Sequence, residues 1–391
     1  MKLFLHNSRR ATVFVALLFS LFTEYVRGRV FDHQCLWVVR NTIISPDKID
    51  KMLDFALENN FNHLMIQVRG RGEAFYNSEF VPRSSVLFND LFDPLEYVLK
   101  KAHQNNIQVH AWVNMYILWS SVEPPESENH LYYIHPDWID QKGNNEGKFN
   151  QNKNTLETSN DGEGYYLAPH HQAVAPYLLN VLREIVEKYE VDGLHLDYIR
   201  YKDYDFGGNA FALNNYRTQS GDDAPIFLSA ESTVEEKSKQ SASRSLKWNN
   251  YRRNSVTELV KKAKEMAMTI RPDCILSAAV KPNLYIARDR FLQEWDVWLA
   301  SGYLDWVIPM NYTPSFRNFA ANIDLIYENF PPKYRERIIM GISTYNQSSS
   351  EAVNKINYSK LKQFPGVSIF SYNVLEENPD YYVPIKQALV K

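Results

Sequence analysis

The residues most able to carry chemistry lie in the segment 192–201, which reads DGLHLDYIRY. If this segment is a β-strand, its side chains alternate between two faces, so that two leucines point one way and His195 and Asp197 the other. A carboxylate on an inward face is energetically expensive unless it is paired or used. We predict that Asp197 is a catalytic carboxylate and that His195 contacts substrate. A structural ion pair between Asp197 and Arg200 is the alternative.

A second candidate carboxylate follows another predicted strand, in the segment QVRGRGEAFY at 67–76. Glu73 is the expected partner of Asp197. Alternation places Gln67 and Arg69 on one face, where they could bind sugar hydroxyls or hold a carboxylate. The two glycines of the loop allow its backbone to approach a ligand closely. A surface loop with an Arg–Glu ion pair is the alternative.

Polar and aromatic residues lie at the ends of three further predicted strands. Asn114 ends the segment HAWVN, Tyr312 ends DWVIPMNY, and Tyr372 lies in FSYN at 370–373. We predict that all three contact substrate, the amide and the phenols through hydrogen bonds. Aromatic residues make up 14% of the chain, and their rings can stack on the apolar faces of sugars.

Arg200 follows Asp197 by three residues, an odd separation that places the two side chains on opposite sides of an extended strand. We predict a turn at 198–199 that folds Arg200 back over Asp197. The guanidinium is then expected within hydrogen-bond reach of Asp197 or of substrate. A nearby cation lowers the pKa of a carboxyl group, so this arrangement favours an ionised Asp197.

The elements that must position these residues alternate along the chain. Eight short runs rich in Val, Ile and aromatic residues predict strands, and amphipathic stretches between them predict helices. This alternation predicts an α/β fold, a (β/α)8 TIM barrel, rather than a doubly wound sheet, for which the glycine fingerprint is missing. The predicted strands are 36–40, 63–69, 107–114, 193–198, 275–281, 306–312, 338–344 and 367–373.

Long insertions follow the second, third and fourth predicted strands, at 70–92, 115–172 and 199–247. All three are strand-to-helix connections, which lie on the C-terminal face of a barrel, where active sites are found. The uneven distribution therefore predicts a substrate cleft on that face. A simple cap over the barrel is the alternative.

The N-terminus has the pattern of an export signal. Lys2, Arg9 and Arg10 precede an apolar run at 11–22, and cleavage is expected after Gly28. We predict a signal peptide at 1–28 and a single domain at 29–391 that is secreted or periplasmic, without a stable membrane span. An uncleaved anchor helix is the alternative.

Composition excludes several other classes. The net charge of −3 provides no basic field for nucleic acid. Zinc-site, phosphate-loop and serine-hydrolase motifs are absent, so we predict neither a metal nor a cofactor. A metal-dependent hydrolase using His110, His195 and Asp197 is the alternative. Cys35 and Cys274 fall on opposite strands of a barrel, which predicts two buried free thiols.

Five sequence blocks, taken together and in order, resemble the glycosyl hydrolase-like 10 family. They are 67–72, 110–114, 135–138, 192–200 and 309–312. The resemblance implies an exported barrel that hydrolyses glycosides, with N-acetylated cell-wall glycans as an expected substrate class. Two positions depart from the family pattern, since Glu73 replaces an Asp and Ala168 replaces the Asp of a Leu-Asp-Pro segment.

Asp197 and Glu73 are therefore the expected catalytic pair of a glycoside hydrolase acting on a polysaccharide or oligosaccharide. Retaining enzymes hold two carboxyl groups roughly 5–5.5 Å apart and inverting enzymes roughly 6.5–9.5 Å. The fifth strand ends Val280-Lys281-Pro282 without a Glu, so a substrate-assisted route through an N-acetyl group, with Tyr312 assisting, stays open. A carbohydrate-binding barrel without catalysis is the alternative.

Overall fold

The computed structural model describes residues 31–143, 163–222 and 242–390. The predicted signal peptide at 1–28 lies outside the described residues. Eight parallel strands, numbered here β1 to β8, form the centre of the fold. They are β1 (His33–Val38), β2 (His63–Gly70), β3 (Gln108–Asn114), β4 (Gly193–Asp197), β5 (Ile275–Val280), β6 (Trp306–Pro309), β7 (Ile339–Ser343) and β8 (Gly366–Phe370).

The strands follow one another around the sheet in the order β7-β8-β1-β2-β3-β4-β5-β6. Single parallel bridges, Val307 to Ile338 and Met310 to Gly341, join β6 to β7 and close the ring. The predicted TIM barrel is thereby confirmed. Two short pairings lie outside the ring: Glu73–Ala74 pairs with β2, and Ile117–Trp119 pairs with Tyr165–Tyr166.

Helices surround the strands. Asp93 caps its helix by accepting from the amides of Leu95 and Glu96. None of the helices in the described part of the chain has the length and apolarity needed to cross a bilayer. They are α1 (Pro46–Glu58), α2 (Pro94–His103), α3 (Leu131–Ile134), α4 (Val174–Lys188), α5 (Ala210–Ser220), α6 (Ala242–Ile270), α7 (Leu284–Phe291), α8 (Trp295–Ala300), α9 (Phe316–Asn329), α10 (Pro332–Arg335), α11 (Ser349–Leu361), α12 (Tyr372–Glu377) and α13 (Pro379–Val390), with 3₁₀ turns at Arg40–Thr42 and Pro136–Trp138.

Alternation along the strands separates two cores. Leu194 and Leu196 of β4 belong to the large apolar layer between strands and helices, as predicted. The barrel interior holds a second cluster built around Trp37, Trp112 and Trp306. Both cysteines are buried free thiols, which confirms that prediction.

Polar side chains fill the lower part of the barrel interior. His33 Nδ1 lies 3.1 Å from His63 Nε2, and His63 Nδ1 lies 3.1 Å from His110 Nε2. Gly193 of the neighbouring strand leaves the room that the His110 ring occupies, because a Cβ there would collide with His110 Nδ1. The interior is therefore packed with aromatic and imidazole rings beneath the C-terminal face.

Two strands end three residues earlier than the sequence predicts. β6 stops at Pro309: the Met310 amide still donates to Val280 of β5, but the amides of Asn311 and Tyr312 bond to carbonyls only two residues back. β8 stops at Phe370, and the chain turns so that the Ser371 amide donates to Thr344 Oγ1 at 3.2 Å. The helix α12 then begins at Tyr372, a residue that the alternation assigns to a strand end.

Candidate active site

Asp197 is the last residue of β4, and its side chain is buried at the C-terminal mouth of the barrel. Its Oδ1 accepts from the Tyr198 amide at 2.7 Å, and its Oδ2 accepts from Trp112 Nε1 at 3.1 Å. Burial raises the pKa of Asp197 to about 6, although the Tyr198 amide, Arg200, Trp112 and Lys281 all act in the opposite direction. A carboxyl group with this pKa can carry a proton to a substrate near neutral pH.

The hydrogen bond from Trp112 to Asp197 gives a direct test of this environment. Trp112→Phe removes a donor that stabilises the carboxylate form, so we expect the pKa of Asp197 to rise by about one unit. NMR titration of Asp197 measures the shift. Trp298→Phe is the matched control, because Trp298 Nε1 donates at 2.8 Å to Thr257 outside the barrel. An unchanged titration in the Trp112 variant contradicts the assignment.

Two of the predicted binding residues join the same hydrogen-bonded row. Asn114 Oδ1 accepts from Trp112 Nε1 at 2.8 Å and from Gln67 Nε2 at 3.4 Å. Gln67 Oε1 in turn accepts from Arg40 Nη1 at 3.1 Å. Strand register explains the grouping, since Asn114 lies opposite Asp197 and Gln67 lies opposite Trp112. The structure therefore brings Gln67 and Asn114 together with Asp197.

Arg69 does not join this group. The pairing of β2 with β3 shifts register between Gln67 and Arg69, and such a bulge re-aims the side chain that follows it. Arg69 is completely buried, and its Nη1 donates to the carbonyls of Asn114 and Met115. Its guanidinium thus supports the loop after β3 instead of facing the mouth beside Gln67, contrary to the shared face that alternation predicts.

Glu73 lies on the short strand that folds back on β2, and it is half-buried. Burial raises its pKa, whereas Arg40 and Arg71 act to lower it. Arg40 also holds Gln67 through the hydrogen bond above. Glu73 thus lies near enough to Arg40, which holds Gln67, for the two charges to interact, and it stays a candidate second carboxylate.

Arg200 folds back at a turn, as predicted, because Tyr198 adopts a left-handed backbone with φ of 52°. Its Nη2 donates to both carboxylate oxygens of Glu163, at 3.2 and 3.1 Å, and its Nη1 donates to backbone carbonyls at 201 and 202. The guanidinium therefore pairs with Glu163 and not with Asp197. The prediction that Asp197 has a lowered pKa is wrong, since burial outweighs the effect of Arg200.

Glu163 is a carboxylate that sequence reasoning missed. Tyr166 Oη donates to its Oε2 at 2.7 Å. Burial opposes ionisation of Glu163, but Arg200 and the Tyr166 hydroxyl outweigh it and leave the pKa below its usual value. Glu163 belongs to the long connection after β3, which has no periodic sequence pattern. Its role at the mouth is identified from its ion pair with Arg200 in the structure.

Lys281 and Tyr312 complete the mouth. Lys281 follows β5, and its pKa falls to about 8 because of burial and nearby Arg200, against the opposing effect of Glu163 and Asp197. The ring of Tyr312 stacks on Phe370 with centroids 5.4 Å apart. The Tyr312 hydroxyl is buried and has no hydrogen-bond partner in the described residues. It lies near enough to Asp197 for that charge to raise its pKa further, beyond the larger effect of burial.

His195 and Tyr372 lie away from the mouth. His195 is wholly buried below Asp197, where its Nδ1 lies 2.8 Å from Ser277 Oγ, and burial lowers its pKa to about 3. Tyr372 is 2% exposed and packs against Phe55 of α1, outside the barrel. Across the described ranges, no three His, Cys, Asp or Glu side chains are grouped so that they could hold a metal ion.

An eight-stranded parallel barrel of this shape is the class of fold seen in TIM-barrel glycoside hydrolases. The chain superposes on the glycoside hydrolase domain of PgaB from Bordetella bronchiseptica with a TM-score of 0.68 and 12% identity, covering 91% of this chain and 98% of that one. The catalytic domain of a β-amylase from Paenibacillus polymyxa gives 0.60 and 10% identity, covering 92% and 98%. At these identities the likeness shows the fold alone.

Residues 34–359 match the family model described as glycosyl hydrolase-like 10, and the chain belongs to that family. It is 24% identical over 329 residues to glycosyl hydrolase DigH of Escherichia coli K12, covering 76% of this chain and 65% of that relative. It is 24% identical over 364 residues to glycosyl hydrolase YngK of Bacillus subtilis, covering 84% and 63%. The chain thus spans slightly less than two thirds of these relatives.

Proposed function

We propose that the protein is a glycoside hydrolase that cleaves a polysaccharide containing N-acetylated sugars. The observation that carries this proposal is Asp197, a buried carboxyl group with a pKa of about 6 at the mouth of the barrel. Family membership supports the reaction class. The N-acetylated substrate is favoured by Tyr312, whose buried hydroxyl has no hydrogen-bond partner in the described residues and could meet an acetamide.

In the reaction we propose, Asp197 gives its proton to the glycosidic oxygen as the C1–O bond breaks. The acetamide oxygen of the same sugar forms the new bond to C1, and the Tyr312 hydroxyl orients that acetamide. The Asp197 carboxylate then accepts a proton from the water that attacks C1 and releases the acetamide. Gln67 and Asn114 bind sugar hydroxyls. Glu73 is the alternative nucleophile or base where the acetamide takes no part.

The reaction class is tested by the release of reducing ends from purified peptidoglycan, chitin oligomers and plant glycans. We expect cleavage of at least one of the two N-acetylated substrates and none of the plant glycans. Binding without release of reducing ends would instead establish the carbohydrate-binding barrel. Cleavage confined to plant glycans contradicts the substrate class but not the reaction.

Tyr312→Phe tests the acetamide route. Because the Tyr312 hydroxyl makes no hydrogen bond within the described structure, we expect the variant to fold normally and its kcat on the N-acetylated substrate to fall about 10- to 100-fold. Tyr382→Phe is the matched control, since Tyr382 also has a buried hydroxyl without a partner there but lies on α13, outside the barrel. Wild-type turnover by the Tyr312 variant would exclude a role for its hydroxyl.

A further inference from the structure

Lys281 is a half-buried cation near Asp197 and Glu163, two carboxyl groups of the barrel mouth. We propose that Lys281 binds a carboxylate of the substrate and so makes the site selective for glycans that contain an acidic sugar. This inference rests on the proposed function, because it assigns a ligand to the same mouth. It follows from where the ammonium group is held, from the charges around it, and from its place at the end of the strand beside β4.

The backbone of Lys281 is fixed on both sides. Its amide donates to Gln293 Oε1 at 2.9 Å, and its carbonyl accepts from Trp295 Nε1 at 3.1 Å. The ammonium group lies 4.4 Å from the centroid of the Phe291 ring. No hydrogen bond from this ammonium group to a protein acceptor occurs in the described part of the chain. The group is therefore positioned while its donors stay available.

The charges around Lys281 leave it without a counter-ion when Asp197 carries its proton. Glu163 is already paired through both oxygens with Arg200. Arg290, another charged neighbour, is paired with Asp203 at 2.6 Å. In the protonated state needed for catalysis, the group Asp197, Glu163, Arg200 and Lys281 thus has a net charge of +1.

A half-buried cation that lacks a counter-ion is costly, and an anionic ligand relieves that cost. Lys281 directly follows β5, which pairs with β4, and neighbouring strands lie about 4.8 Å apart. A sugar whose glycosidic oxygen meets Asp197 therefore brings its ring substituents within reach of Lys281. A carboxylate there could belong to a hexuronic acid or to an acidic ether group on an N-acetylated sugar.

Binding is measured by calorimetry with Asp197→Asn protein, which does not consume the ligand and is neutral at position 197 like the protonated acid. The probes are three tetrasaccharides. Chitin tetrasaccharide is neutral, a tetrasaccharide alternating N-acetylglucosamine with N-acetylmuramic acid has ether-linked carboxylates, and a third contains hexuronic acid. We expect at least one acidic probe to bind at least tenfold more tightly than the chitin probe, and the better of the two identifies the source of the carboxylate.

Adding Lys281→Gln to this protein is expected to abolish the preference, whereas Lys281→Arg keeps most of it because the charge is retained. Lys333→Gln is the matched control, since Lys333 also lies over an aromatic ring, 4.6 Å from the Tyr334 centroid, but precedes β7 on the opposite face of the barrel. A preference that survives Lys281→Gln, equal binding of all three probes, or no binding of any probe overturns the proposal.

Failure of this proposal and failure of the proposed function remain distinguishable. Release of reducing ends from chitin oligomers together with equal binding of acidic and neutral probes rejects the role of Lys281 and keeps the hydrolase. A charge preference that depends on Lys281, in a wild-type protein that releases no reducing ends, keeps the role of Lys281 and rejects the hydrolase.

Discussion

Asp197→Asn is expected to lower kcat on the cleaved glycan by about 10³-fold, within the range of 10²–10⁴ that a positioned general acid contributes. The substitution keeps the shape of the side chain and an oxygen that can accept from Trp112 or from the Tyr198 amide. It also removes a carboxyl group whose ionisation burial opposes, which offsets the loss of one of these two hydrogen bonds, so we expect a thermal stability near that of the wild type. Reducing-end assays and thermal unfolding measure the two effects.

The pH dependence of the wild type provides a second measure of the same role. A general acid must be protonated, and the raised pKa of about 6 means that the active fraction falls as pH rises through that value. We therefore expect turnover to decline on the alkaline side of pH 6. Asp140→Asn is the matched control for Asp197→Asn and is expected to keep the turnover of the wild type. Asp140 is also a buried carboxyl group, with a pKa raised to about 7 by burial, but it belongs to the connection after β3. Turnover of the Asp197 variant within threefold of the wild type contradicts the assignment.

The sequence was sufficient to predict the barrel and the place of Asp197. Both follow from local rules, since the alternation of β4 assigns its leucines to the helix layer and His195 and Asp197 to the interior. The same rule, applied to β3, places Trp112 and Asn114 on one inward face, and the structure joins them through a 2.8 Å hydrogen bond.

The rule fails where the backbone departs from a regular pleat. The register shift in β2 separates Arg69 from Gln67, and the turn at Ser371 removes Tyr372 from the mouth. Glu163 could not be found by alternation at all, because a long-range ion pair with Arg200 sets its place. A single sequence therefore predicts which side chains lie at the ends of regular strands. It does not predict the positions of side chains after a bulge or in the loops that cover the mouth.

Acid is expected to destabilise the protein strongly, because several histidines are buried as neutral rings. Burial lowers the pKa of each from the ordinary value of about 6.5. The folded pKa values are about 2 for His63, 3 for His110, 4 for His130, 3 for His170 and 3 for His195. Unfolding releases these rings to water, where they bind protons as pH falls below 6.5.

The sign follows from proton linkage. The unfolded chain binds more protons than the folded one between pH 6.5 and about 4, so the free energy of unfolding decreases as pH falls. At pH 5 each neutral histidine costs about 2 kcal/mol of stability. Asp140, Asp197 and Glu73 have the opposite effect on stability, since their raised pKa values make the folded state bind protons first. Five histidines outweigh three carboxyl groups, which leaves a loss of several kcal/mol between pH 7 and pH 5.

Urea unfolding at pH 7, 6 and 5 measures this loss, and its slope with pH gives the number of protons taken up on unfolding. We expect His63→Gln to reduce that number by about one, because His63 is buried between His33 and His110 and is kept neutral. His135→Gln is the control, since the His135 side chain is 41% exposed and should leave the slope unchanged. A free energy of unfolding that stays constant or rises from pH 7 to pH 5 would show that the buried rings accept protons in the folded state.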